Sequence, residues 1–509
     1  HNVTGYNVAL PFFFNLAPNY DLTLTPRWSS IGGYIQEAQW RHLVSNGSYQ
    51  FYGVGTIPDR QIQRDVQNFS DFRGSLFGRG RFETKPLVYG FRAQIISDKD
   101  FLRHYNRPEY ETLENSGWIN YAKNNVFMRL EGIAYGSTIE TRRNQRRQRI
   151  LPWAQLDYRV PQPVLGGRLL LSGDIVNLYR EVGDDVLRSS LGWKWQRRFL
   201  PGGGVRLDLT QSARGDAYSY RFENSRRAVP RENFNLWRNF ASVSARVSYP
   251  LVKHGPPATY IVEPIAQLTY VYGDAHHDRI VDEDGQVTEL SSDNLFVPDR
   301  FSGKDREETG LHVAYGGRAQ SQWRKWHLQM QVGQSWQMDD EQGFRSGSGL
   351  DTHRSDYVAS AALSGYGLTL WHGVRLSEED FAPRRLESAL SWSGSFLRLS
   401  AGHVVADRVL DSNRRQEQVY GRAQLDLGRY WSARGRVHYD LIAREPLRTS
   451  AAIAYEDECL RIQFAFRRIH RFQNVGFDRD SFTLSITLKT LTTVTTGGIV
   501  TPAGRARFF

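Results

Sequence analysis

Three short runs in this 509-residue chain carry side chains that could do chemistry. The first is TRRNQRRQR, Thr141 to Arg149, with Arg142, Arg143, Arg146, Arg147 and Arg149. Guanidinium groups are planar forks of N–H donors that suit phosphate oxygens. The run reads as a phosphate-binding loop or as a solvated basic loop. The second is His276-His277-Asp278. Adjacent residues on an extended chain point apart, and the spacing of a tetrahedral metal site is missing, so no metal is expected. The third is Cys459, the single cysteine. One cysteine excludes a disulfide within the chain and a cysteine-rich zinc site; in an exported protein it suggests a partner elsewhere. The sequence has no G-x-S-x-G nucleophile turn and no G-x-x-x-x-G-K-[ST] phosphate loop. No cofactor is expected, and catalysis ranks behind binding and transport.

The net charge is +11, carried by 57 Arg and 8 Lys against 54 acidic residues. An acidic partner fits, whether anionic lipid, anionic glycan or nucleic acid. The basic residues are spread along the chain and not gathered with aromatics in one segment, which argues against nucleic acid. Only 40% of residues are hydrophobic, and no apolar run approaches the ~20 residues of a membrane-spanning helix. A membrane β-barrel stays open, because its strands hide their apolar half by alternation.

Alternation is the dominant pattern. Val205, Leu207 and Leu209 alternate with Arg206, Asp208 and Thr210; Val243, Ala245, Val247 and Tyr249 with Ser244, Arg246 and Ser248. The same holds from Trp326 to Val332, Arg422 to Leu427, Arg436 to Asp440, Leu460 to Arg467 and Phe482 to Lys489. A period of two means strands with one apolar and one polar face. A soluble sandwich or propeller and a membrane barrel both produce it. Mid-strand Arg, Asp and His suit a wet lumen, and Tyr and Trp near strand ends suit interface girdles. No helical segment is expected between strands. Strands of ~9–11 residues plus their connections use roughly 19 residues each, which suggests about 24–28 strands. The expected fold is therefore all-β: a large antiparallel transmembrane β-barrel over residues 1–491, followed by a small-residue tail, 492–509. Asp59–Arg73, Thr138–Arg149 and Gly273–Gly310 are polar inserts that could fill or gate so wide a lumen.

Leu10–Pro26, LPFFFNLAPNYDLTLTP, is a hairpin signal interrupted by proline. Pro18 falls in the turn Asn15–Asn19. Pro11 and Pro26 fall in the two arms, where proline cannot donate to the ladder.

These residues resemble the LptD family of lipopolysaccharide-assembly proteins. The resemblance rests on the hairpin with Pro11 and Pro26 fifteen apart, on Val262-Glu263-Pro264 opening a strand, and on Asn294-Leu295-Phe296. It rests further on Arg300-Phe301-Ser302-Gly303 with Asp305-Arg306, on Gly310 and Tyr315-Gly316, and on Cys459 before the strand Phe482–Leu488. It implies a barrel of about 26 strands in the outer membrane of a Gram-negative bacterium. It also implies a non-enzymatic translocon that takes lipopolysaccharide from a periplasmic bridge and inserts it into the outer leaflet. The implied partners are lipopolysaccharide, outer-membrane lipids, a plug lipoprotein, LptE, in the lumen, and the bridge, reached through an N-terminal periplasmic domain expected to lie outside this chain.

A barrel closes by pairing its first strand with its last. The resemblance makes Pro11 and Pro26, with Phe12 and Phe14, one side of a lateral gate; Phe482, Leu484 and Ile486 make the other. The bland reading is that the prolines only shape a hairpin or block edge pairing. Arg300, Phe301, Ser302, Gly303, Asp305 and Arg306 are implied to lie in a loop, Asn294–Gly317, packed into the lumen. Cys459 is implied to bond a cysteine of the N-terminal domain. A passive porin or small-solute transporter is the alternative, and an adhesin-like barrel a third reading.

Overall fold

A computed structural model of the chain describes residues 7–30, 33–57, 72–99, 101–105, 112–138, 148–181, 183–224, 232–285, 288–339, 343–409, 414–469, 479–488 and 492–497. Among them the backbone forms 28 strand segments, β1 to β28, and one helical turn, α1 (Phe101–His104), that alternation does not announce. Two pairs of segments are single strands with a break. β1 (Asn7–Ala9) and β2 (Phe12–Ala17) pair with β3 (Tyr20–Ser29) in one register. β14 (Phe234–Ser248) and β15 (Leu251–Gly255) pair with β16 (Ala258–Tyr272) in one register. Counting each pair once leaves 26 continuous strands among the described residues, the number expected. The quoted alternating runs fall in strands, except that Tyr249 lies in the break between β14 and β15 and Lys489 lies outside the described residues.

Three boundaries differ from the sequence reading. Residues 492–497, assigned to the tail, form β28 (Thr492–Gly497) and pair with β27 (Arg479–Leu488). Thr492, Thr493, Thr495 and Thr496 are β-branched and favour extended backbone, but threonine reads as neither face and so shows no alternation. Val262-Glu263-Pro264 lies inside β16 and does not open it. Gly310–Gly317 belongs to β17 (Gly310–Trp323), so the expected loop ends at residue 309. Most of the inserts Asp59–Arg73 and Thr138–Arg149, and residues 498–509 of the tail, lie outside the described residues.

The chain divides into two compact units, His1–Trp195 with Ala213–Asn239, and Gln196–Ser212 with Phe240–Phe509. In the first unit the apolar face carries a line of aromatic rings beside the short turns. Tyr20 stacks on Trp40 at 5.4 Å between centroids, and the line runs through His42 and Tyr49 to Phe82 and Tyr89. Such a line suits the headgroup level of a bilayer. The opposite face of this unit holds an apolar patch. Ile35 and Val54 sit at positions shared with Glu37 and Thr56, and the loop bearing α1 packs Phe101, Leu102 and Tyr105 against them. Buried Arg73 grips Asp98 through two hydrogen bonds of 2.9 and 2.6 Å and stands over the Phe101 and Tyr105 rings. Helical turn α1 exists because this apolar patch gives it a surface.

In the second unit burial runs opposite to that of a soluble sheet. Along β16, Val262, Leu268 and Tyr270 are exposed, whereas Glu263, Gln267 and Thr269 are buried. Apolar residues outward and polar residues inward is the pattern of a wall bathed in lipid. The polar face is covered by the described residues of two loops, 273–285 with 288–309 and 338–339 with 343–356. Leu290, Leu295, Phe296 and Leu350 pack there on Ile265, Ala314 and Val358.

Candidate functional site

The register of the first hairpin fixes what each proline removes. Ala9 pairs with Arg27 and Phe12 with Leu24, which places Leu10 opposite Pro26 and Pro11 opposite Thr25. The Leu10 amide donates to the Pro26 carbonyl at 3.1 Å. Residues facing each other in an antiparallel pair alternately exchange two hydrogen bonds and none. Leu10 and Pro26 form an exchanging pair, and Pro26 has no N–H to return the second bond. Pro11 is one residue on, so its missing donor faces the other edge of the strand, away from β3. One proline thins the ladder inside the hairpin; the other blanks a donor on the opposite edge. The break between β1 and β2 falls at Leu10-Pro11.

Side-chain facing follows from the same register. Phe12 and Phe14 share the apolar face with Leu24 and Leu22, while Phe13 shares the polar face with Thr23. All three rings are exposed. β3 is held firmly on its other side, where it pairs with β4 (Gly33–Val44) from Tyr20 to Ser29. There Arg27 donates to buried Glu37 at 2.8 Å, and Tyr52 also donates to Glu37.

Phe482, Leu484 and Ile486 sit on β27. They were expected on the last strand, but β27 has a partner on both sides. Phe482 faces Phe466, Leu484 faces Phe464 and Ile486 faces Ile462 of β26 (Leu460–Ile469). On the other side Leu484 faces Thr496 and Ile486 faces Val494 of β28. Among the described residues the terminal strand of the sheet is therefore β28. The Phe482 and Phe466 rings lie 5.0 Å apart.

The segment Arg300–Arg306 packs on the polar face of the second unit. Arg300 and Glu308 form a fully buried pair with bonds of 3.0 and 2.6 Å. Arg300 also donates to Ser335, and Gln337 donates to Glu308, tying the loop to β18 (Trp326–Gln337). Phe301 stacks on Phe344 at 4.4 Å. Asp284 accepts the amides of Lys304 and Asp305, and a Cβ at Gly303 would lie 2.1 Å from its carboxylate, so the close approach requires glycine. Asp305 accepts the Glu283 amide, and Arg306 donates to the His277 carbonyl at 3.0 Å. Ser302 is exposed. Asp282, Asp284 and Asp305 come together here as acceptors of loop amides. At the end of the second covering loop, burial raises the Asp356 carboxyl above the usual carboxylate range, although Arg375 lies 3.6 Å away.

Cys459 is an exposed free thiol in the turn between β25 (Glu445–Glu456) and β26, its amide donating to Asp457 at 2.9 Å. Arg142, Arg143, Arg146 and Arg147 lie outside the described residues. Arg149 lies on β10 (Gln148–Arg159), 3.5 Å from Glu181. His277 serves the Arg306 contact, and the His276 amide donates to Asp274.

The model of the family described as LptD: LPS transport system D matches residues 71–431. An LPS-assembly protein LptD of Alkalilimnicola ehrlichii is 26% identical over 94% of this chain and 63% of its own length. One from Vibrio vulnificus is 22% identical over 91% of this chain and 62% of its own. One from Bordetella pertussis reaches 39%, over 15% of this chain and 10% of its own. The chain thus spans just over three-fifths of the first two relatives.

Proposed function

The chain belongs to the LPS transport system D family and is an outer-membrane protein, and from that premise we propose that it walls a conduit delivering lipopolysaccharide to the outer leaflet. The relatives are LPS-assembly proteins by name. The lipid leaves sideways through a seam between the first strand, residues 7–17, and the terminal strands β27 and β28. One observation carries this reading. The first strand lacks a return bond toward β3 at Pro26 and a donor on its opposite edge at Pro11. Each lost backbone bond is worth ~0.5–1.5 kcal/mol net in water, and more where no water replaces it. A strand weakened on both edges is the one a lipid can push aside, with its sugar on the polar face and its acyl chains in the membrane.

The polar face, with its Arg, Asp, Gln and Ser residues, would keep the glycan hydrated, and the covering loops would narrow the path. Energy for the transfer comes from elsewhere, through the periplasmic bridge. LptE fills the width that loops leave; its co-purification with the full-length protein checks that assignment.

The test is a seam lock in full-length protein in cells. Single cysteines are scanned along residues 7–17 against 482–488 and 492–497, with Cys459 in place. Arrival of new lipopolysaccharide at the surface is followed before and after reduction. A cross-linked pair that stops delivery reversibly supports the gate. If every cross-linked pair delivers at the normal rate, the lipid leaves elsewhere.

A further inference from the structure

The paired-proline defect of the first hairpin occurs again in mid-chain. Ser248 pairs with Ile265 and Leu251 with Val262, so Tyr249 stands opposite Pro264 and Pro250 opposite Glu263. The Tyr249 amide donates to the Pro264 carbonyl at 3.2 Å. Pro264 cannot return the bond. By the same alternation, Pro250 lacks a donor on the edge away from β16. The arrangement is that of Leu10-Pro11 against Pro26, residue for residue, and here too the strand breaks at the Xaa-Pro step, between β14 and β15.

Position along the sheet gives the repeat a meaning. Of the 26 continuous strands among the described residues, β14 with β15 is the thirteenth and β16 the fourteenth. On the lateral-gate reading the wall is joined along one seam, and it has to bend somewhere when that seam parts. Counted from the seam in either direction, the junction of the thirteenth and fourteenth strands is the farthest. A full ladder resists bending; a junction missing bonds yields.

Side chains on the polar face bridge the weakened level. Glu263, opposite Pro250, receives a 2.6 Å hydrogen bond from Arg206 of β13 (Val205–Asn224), which reaches over the broken strand. Arg246 donates to Gln267 at 2.8 Å, and the Ser244 and Thr269 hydroxyls meet at 2.9 Å. These ties hold the two strands side by side while leaving the backbone free to pivot.

We propose that the junction of β14–β15 with β16 is the hinge about which the wall bends when the seam opens. The inference rests on the lateral-gate reading and assigns the movement that reading requires to Pro250 and Pro264.

The test has two arms on full-length protein. In the first, hydrogen–deuterium exchange is measured on purified protein, comparing amides of 249–252 and 262–265 with the uninterrupted hairpin 313–332. The hinge requires the former to exchange at least about tenfold faster, a difference equivalent to about 1.4 kcal/mol of opening energy. Equal protection overturns it. In the second, the double variant Pro250→Ala, Pro264→Ala is placed in cells, with heat-modifiability on gels reporting assembly. Restored donors slow surface delivery of lipopolysaccharide by at least about twofold. Normal delivery from an assembled variant overturns the hinge. If that variant does not assemble, the exchange arm decides. A seam cross-link that stops delivery beside Pro→Ala variants that deliver normally leaves the gate standing and removes the hinge. Seam cross-links that deliver normally remove the gate itself.

Discussion

Replacing Pro26 by alanine is the most direct perturbation of the first hairpin, because its acceptor is already in place. Leu10 and Pro26 face each other as an exchanging pair with one bond formed, Leu10 amide to Pro26 carbonyl. Alanine supplies the N–H, and the Leu10 carbonyl is the acceptor the pair geometry provides. One restored bond is worth about 0.5–1.5 kcal/mol. If the first strand must bend away from β3 to admit a lipid, opening is opposed by that amount, and delivery slows about two- to twelvefold. Global stability responds differently. Removing proline frees the unfolded chain by about 0.4–1 kcal/mol, which offsets the new bond. The unfolding midpoint should hardly move while delivery falls. The assay is pulse-labelled lipopolysaccharide arriving at the cell surface, beside thermal unfolding of the purified full-length protein. Unchanged or faster delivery would refute the reasoning; a fall in delivery matched by a fall in stability would show a folding defect instead.

Arg300→Met leaves the Glu308 carboxylate buried without its cation, a loss of about 3–5 kcal/mol. Loop 273–309 should then be cut by added protease where the wild type resists, and Arg300→Met with Glu308→Met should recover part of that resistance; a resistant single variant contradicts the pair's role. Asp356 has a folded pKa raised above its ordinary 3.8 by burial. Its protonated form is the one the fold favours, so the stability it contributes is full below 3.8 and is lost as pH rises through the raised value. Asp356→Asn should flatten the decline of the unfolding midpoint over that interval, and an identical pH profile would exclude Asp356 as the cause. Cys459→Ser in the full-length protein should abolish the shift between reduced and non-reduced gel mobility expected from a bond to a cysteine beyond this chain; a shift that persists locates the bond elsewhere.

The strands were legible because a lipid-facing wall needs a side chain of opposite character at every second position. β16 shows this plainly, with Val262, Leu268 and Tyr270 outward and Glu263, Gln267 and Thr269 inward. β28 was not legible, since threonine suits either face. Register was not legible either. It depends on the Pro18-Asn19 turn and on the shift between Asn15 and Ala17, and a one-residue slip would turn every side chain to the other face. Without register, Pro11 and Pro26 are two weak points of unknown direction; with it, they act on opposite edges of one strand.

The same limit hid the match of Pro250 with Pro264, which shows only when Tyr249 is placed opposite Pro264. One signal was present and unused. Ile35, Val54, Ile265 and Ala314 are apolar residues at polar-face positions, and each lies under a loop that folds onto that face. An apolar residue out of phase in an alternating strand marks where something docks on the inner wall. Ile35 and Val54 therefore point to α1, as Ile265 and Ala314 point to loop 273–309. Breaks in the alternation locate the covering loops, and prolines matched across a register locate where the wall can give.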